Sequence, residues 1–353
     1  MEDSTPPRSH RRSRSTIVSP SLTRDLRRLK RAAPLTVVLF LAIVAAWIGY
    51  FGSGIAMGPQ EAWAKPFATA RRFGLSPRTV SFTSSDGIPL KAWWERPWSV
   101  ATPKGIVILM HGSQSNKTSM GYTAARLLSQ GFSVMLLDLR AHGESGGEYT
   151  TFGYKEALDV EAAIRWAKAN GGGAGIALAG YSSGAVAALF AAAQTPDVAA
   201  VVADSPYADP EDVLRRENQF LEHAPGGARV PVGHRMRLWF FTTPGFAWLS
   251  HAAFRLRAGV PFDPPEGNLL HAVTRIERPR VLYLAAEQDP VVPRSTTEQI
   301  YRATASSRKQ LVIEPGAFHS AMAGNPRGYI ATVSAFLDGA FGTQPVSAGP
   351  AQN

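Results

Sequence analysis

The sequence predicts an α/β fold: a mainly parallel central sheet, helices on both faces, a helical lid-like insertion and an N-terminal transmembrane helix. Three observations carry that expectation. From about residue 79 onward, short apolar runs of strand length alternate with stretches of helical spacing. The central runs are continuously apolar and end in turns, the pattern of strands buried on both faces. The chain has 353 residues, 45% hydrophobic and 18% charged, which suffices for one large core.

The first segment is a basic, Ser/Pro/Arg-rich tail. The net charge is +10, and Met1 to Ala33 holds nine basic residues against three acidic ones, or +6 of that total. The excess lies directly before the apolar run Leu35 to Met57, about 23 residues without a charge. That length spans a hydrocarbon core as a helix. Trp47, Tyr50 and Phe51 sit toward its far end, where interfacial aromatics belong. Residues 1–33 are therefore expected to be a disordered cytoplasmic tail and 34–57 a single-pass anchor. The remainder is then extracytoplasmic, because basic flanks stay inside. Membrane topology explains the basic excess better than nucleic acid does, so no nucleic-acid partner is expected. The competing reading is a cleaved signal peptide, since Ala62-Trp63-Ala64 has the form of a cleavage site; the long basic flank and long run favour the anchor. Paired arginines at Arg11-Arg12 and Arg27-Arg28 are a weak twin-arginine signal.

Residues 58–77 read as a linker and 78–341 as the main globular domain. Thr79 to Pro97 holds two β-rich runs around Asp86-Gly87, a hairpin signal. Strands follow at GIVILMHG, FSVMLLDLR, GIALAGYSSG, VAAVVADSPY, RVLYLAAEQD and KQLVIEPGAFH. Helices are expected over Tyr154 to Asn170, which stops at three glycines, over AVAALFAAAQ, and over the closing YIATVSAFLDGAF. Residues 208–268 are too long for a simple crossover and carry the Trp/Phe-rich stretch RLWFFTTPGFAWLSHAAFRL, hence the lid-like insertion; extra core-packing helices are the other reading. Residues 342–353 are expected to be a disordered tail. The chain has no cysteine, which excludes disulfides, thiolate metal sites and thiol nucleophiles.

The chemistry centres on Gly180-Tyr181-Ser182-Ser183-Gly184, between a strand and a helix. A sharp strand-to-helix turn crowds the residues two before and two after its apex, and glycine fits there. Only Ser182 has glycine at both positions, so Ser182 is the candidate nucleophile. Ser183 then contributes its backbone N–H to an oxyanion hole at the helix N-terminus. A serine hydroxyl needs a base, and the base needs a carboxylate to orient it. In chain order the acid precedes the histidine. His319 follows the last strand, while His223, His234 and His251 fall in the insertion and His271 just after it. Asp289 follows the strand before, at the same sheet edge as Ser182 and His319. Glu287 competes for the acid role, and Asp204 is the next candidate, with loop capping the better reading for it. The second oxyanion donor is expected after His111-Gly112, from Ser113 or alternatively Gln114.

These stretches resemble the α/β-hydrolase superfamily, and within it serine hydrolases of the esterase, lipase and serine-aminopeptidase kind, from about Val80 to Phe341. The matching motifs are His111-Gly112, Asp138 to Ser145 (DLRAHGES), Gly180 to Gly184, Asp289 to Pro293 (DPVVP) and Gly316 to His319 (GAFH). Ala141 and Ala286 stand where the family pattern usually has glycine. The resemblance implies acyl transfer through Ser182, His319 and Asp289, with no metal or organic cofactor. It implies a small-molecule or lipid-like acyl substrate, an ester or thioester, with an amide or peptide, or a non-catalytic membrane-tethered binding role, as alternatives.

Overall fold

A computed structural model describes residues 20–58, 69–98, 100–195, 197–223, 235, 238–239, 242–243, 247–259 and 268–343. The expected tails at 1–19 and 344–353, most of the linker and the middle of the insertion lie outside the described residues. Two compact units divide the chain, Met1–Ile48 and Gly49–Asn353. Helix α1, Pro20–Met57, begins within the basic segment expected to be a tail. Its stretch Ala33–Tyr50 is long and apolar enough to cross a membrane.

In the larger unit eight strands form one sheet in the order β1-β2-β4-β3-β5-β6-β7-β8. Strand β1 (Arg78–Thr83) pairs antiparallel with β2 (Pro89–Glu95), the expected hairpin around Asp86-Gly87. β2 pairs antiparallel with β4 (Ser133–Asp138). All other pairs are parallel: β3 (Ile106–Met110) with β4 and β5 (Ile176–Tyr181), then β6 (Val198–Asp204), β7 (Arg280–Ala286) and β8 (Lys309–Glu314).

The two-residue period of a strand sorts the core onto both faces. In β3, Ile106, Ile108 and Met110 join one buried cluster while Val107 and Leu109 join the other. Helices α3 (Glu156–Asn170), α4 (Ser183–Gln194) and α7 (Arg294–Ala303) cover the first face through Val160, Ile164, Leu189 and Ile300. Helices α2 (Gly121–Ser129) and α8 (Pro326–Phe341) cover the second through Leu127, Val333 and Leu337. Helix α4 is alanine-rich and buried nearly all round, so its small side chains let it lie close against the sheet. Two helices are described within 208–268: α5 (Pro210–His223) and α6 (Ala247–Ala258).

Residues 138–145 form a loop braced by buried charge. Lys117 ion-pairs with Asp138 and reaches Glu144 at 2.5 Å. Arg140 forks between Asp159 (2.7 Å) and Asp86 (2.6 Å), which ties the β1–β2 turn to helix α3. Ala141 takes φ 58°, the left-handed region, which explains why glycine suits this position. An L-residue there costs roughly 1–2 kcal/mol, partly offset because glycine loosens the unfolded chain by about 0.4–1 kcal/mol. Ala141→Gly should therefore stabilise the protein by about 0.5–1 kcal/mol, raising the unfolding midpoint by a degree or two in a thermal melt. A lower midpoint would contradict the strain assigned to Ala141.

Candidate active site

The C-terminal ends of the parallel strands share one sheet edge, and the residues singled out from the sequence gather there. Ser182 sits between β5 and α4 with φ 53° and ψ −121°, a strained conformation for a residue with a Cβ. The turn is held by backbone bonds: Ser182 N–H donates to Asp204 O at 2.8 Å, and Ser182 O accepts from Ala185 and Val186 N–H. The flanking glycines are obligatory in space. A Cβ on Gly180 would lie 2.3 Å from Gly184 O, and one on Gly184 would lie 2.4 Å from His111 O.

Asp289 lies three residues past the end of β7. Its Oδ1 accepts from Val291 and Val292 N–H, both at 2.8 Å, and its Oδ2 accepts from His319 Nδ1 at 2.7 Å. That bond leaves Nε2 as the free nitrogen of His319. Glu287, the competing acid, is exposed and instead holds the turn before the histidine, accepting from Gly316 N–H at 3.0 Å. Burial separates two carboxylates that spacing alone left unresolved. The other histidines lie elsewhere. His223 is exposed and bonded to Gln219 O, His251 stands 3.8 Å from Glu211, His271 is exposed, and His234 is outside the described residues.

His111 is fully buried and structural. Its Nδ1 donates to Gly112 O (2.7 Å) and its Nε2 accepts from Leu139 N–H (3.2 Å), a neutral tautomer that bridges two edge loops. Burial holds it far below the usual histidine range, at about 3. Gly112 packs against the Tyr181 ring, so Ser113 and Gln114 fall beside Ser182.

A cavity of about 270 Å³ opens here. Ser182, His319, Ser113, Gln114 and Glu217 give it a polar side, and Phe152, Val213, Leu214 and Val291 an apolar one. Ser182 and His319 face this cavity without a direct hydrogen bond between them among the described residues. Unliganded sites often hold such pairs apart. The Ser183 amide opens helix α4, where first-turn N–H groups have no intrahelical acceptor. Two contributors had no distinctive signal in the sequence. Glu217 of α5 accepts from Gln114 Nε2 at 2.9 Å and ties the Ser113-Gln114 turn to the insertion. The Tyr181 ring packs tilted against the His319 ring with centroids 5.1 Å apart, and burial raises its hydroxyl well above the usual range. Among the described residues no group of three His, Asp or Glu side chains is gathered as a metal site.

The crowding at the turn is directly testable. Gly184→Ala forces backbone apart and should cost on the order of 3 kcal/mol. Gly172→Ala meets open space at φ 68° and should cost only about 1 kcal/mol. Chemical denaturation of both variants measures the difference; equal costs would contradict the geometry of the turn.

Residues 106–332 match the model of the alpha/beta hydrolase family. A Bacillus subtilis protein, YqkD, itself uncharacterized, is 28% identical over 258 residues, covering 72% of this chain and 77% of YqkD. The esterase Pf2001 of Pyrococcus furiosus superimposes with a TM-score of 0.62 at 23% identity, over 80% of this chain and 97% of its own. A bacterial membrane phospholipase A superimposes with a TM-score of 0.51 at 20% identity, over 91% of this chain and 99% of its own. With the family model matching residues 106–332, well over half of the chain, the chain belongs to the alpha/beta hydrolase family.

Proposed function

We propose that this protein is a membrane-anchored serine hydrolase that cleaves a carboxylic ester or thioester through an acyl-enzyme. The observation that carries the reading is the 2.7 Å bond from His319 Nδ1 to buried Asp289, with His319 and Ser182 lining one cavity. Ser182 Oγ attacks the acyl carbonyl as His319 Nε2 takes its proton. Asp289 keeps the Nδ1–H tautomer and stabilises the imidazolium. The amides of Ser113 and Ser183 receive the oxyanion, and losing one such donor costs about 3–4 kcal/mol. His319 then protonates the leaving alcohol or thiol, and water, deprotonated by the same nitrogen, releases the acid. The apolar wall of Phe152, Val213, Leu214 and Val291 suits an acyl chain. The esterase and phospholipase names of two similar folds support the same class of substrate.

Ser182→Ala should lower turnover of a small aryl ester by about 10⁴-fold or more and abolish labelling by a fluorophosphonate. Asp289→Asn should cost about 10⁴-fold in kcat, while Glu287→Gln stays within a few-fold. Labelling that survives Ser182→Ala but not Ser183→Ala would overturn the assignment, as would the reverse ranking of the two acids.

The apolar stretch Ala33–Tyr50 of helix α1, preceded by the basic segment, supports an anchor with its N-terminus in the cytoplasm. The absence of cysteine makes single introduced cysteines clean reporters of topology. In spheroplasts, a membrane-impermeant maleimide should label S129C, at an exposed position, and leave S4C unlabelled until lysis. The opposite pattern would reverse the orientation, and a mature chain beginning after Ala64 would favour a cleaved signal.

A further inference from the structure

Asp204 ends β6 and is almost wholly buried, 1% exposed. Its carboxylate accepts three hydrogen bonds. Ser205 Oγ and Ala321 N–H donate to Oδ1, each at 3.1 Å, and Ser320 Oγ donates to Oδ2 at 3.0 Å. Its backbone oxygen accepts the Ser182 N–H at 2.8 Å. One residue thus grips both the turn that carries Ser182 and the segment directly after His319.

The three serines bonded to Asp204 share a second property. Ser182 (φ 53°), Ser205 (φ 51°) and Ser320 (φ 83°) all have left-handed backbones. Such conformations cost about 1–3 kcal/mol each and persist only where the surroundings over-determine them. Here the surroundings they share are Asp204. No lysine or arginine pairs with its carboxylate among the described residues, and burial pushes that carboxyl above the ordinary carboxylate range against the pull of its three hydrogen bonds. A buried carboxyl is costly unless such bonds hold it.

We propose, on the serine-hydrolase reading of this same site, that Asp204 is a positioning residue. It locks the Ser182 turn and the His319 loop in mutual register, through its backbone oxygen on one side and its carboxyl on the other. It does not orient the ring, because both its oxygens are taken by Ser205, Ser320 and Ala321, while Asp289 holds Nδ1.

The test uses the full-length protein in detergent micelles, with Asp204→Asn, which keeps shape and removes charge, and Ser320→Ala, which keeps charge and removes one bond. For a small aryl ester, Asp204→Asn should lower kcat by roughly 10²-fold with KM within about threefold, the pattern of a misregistered pair. Ser320→Ala should lose less, roughly three- to tenfold in kcat. An unchanged kcat in folded Asp204→Asn would overturn the proposal, as would a loss carried by KM with kcat intact. If Asp204→Asn does not fold, an unchanged kcat in Ser320→Ala overturns it. If the unaltered protein neither turns over esters nor reacts with a fluorophosphonate, the hydrolase reading fails; turnover by the unaltered protein with kcat unchanged in both variants fails the positioning role alone.

Discussion

The site depends on one close approach. Between β5 and α4 the chain reverses so sharply that Gly180 and Gly184 meet, with Gly184 pressed against the backbone of His111. Neither glycine has room for a Cβ, and that contact is what drives Ser182 into its strained conformation at the apex. From there the consequences are geometric. The serine stands above the sheet edge, the next amide opens a helix, and the β3 turn with Ser113 is brought alongside. A strained residue needs a rigid frame, and the fully buried β3, β5 and β6 on either side supply it.

Around that apex the loops are fixed by buried polar groups rather than by apolar packing. Lys117, Asp138 and Glu144 brace one loop, and Arg140 pins it to Asp159 and Asp86. Asp289 and Asp204 take the His319 loop from its two sides, one through the ring and one through the following backbone. The buried members, Asp138, Asp159, Asp204 and Asp289, each have both oxygens occupied, which is the condition for burying them at tolerable cost. The cavity wall draws on both loops and insertion: the edge loops contribute Ser113, Gln114, Phe152, Val291 and His319, and α5 contributes Val213, Leu214 and Glu217.

Much of this arrangement was legible in the chain. The alternation of apolar runs and helical spacing located all eight strands, and glycine spacing separated Ser182 from Ser183. What resisted reading has a common physical cause, contact between residues far apart in sequence. Asp204 meets Ala321 across 117 positions and Gln114 meets Glu217 across 103, and neither pair leaves a local pattern. Glu287 and Asp289 are two residues apart at the same strand end, and only burial distinguishes them. Helices α2 and α7 did not stand out in the sequence, because they are short and carry few landmarks. The start of α1 at Pro20 lies in a basic stretch whose composition resembles that of a tail.

The central claim is that Ser182, and no other hydroxyl, is the atom that takes the acyl group. Treating the full-length protein with a fluorophosphonate, digesting it and mapping the adduct by mass spectrometry tests that most directly. The account requires a single phosphonylated residue, Ser182. An adduct on Ser183 or on another residue, or folded protein that takes up no label at all, would contradict it.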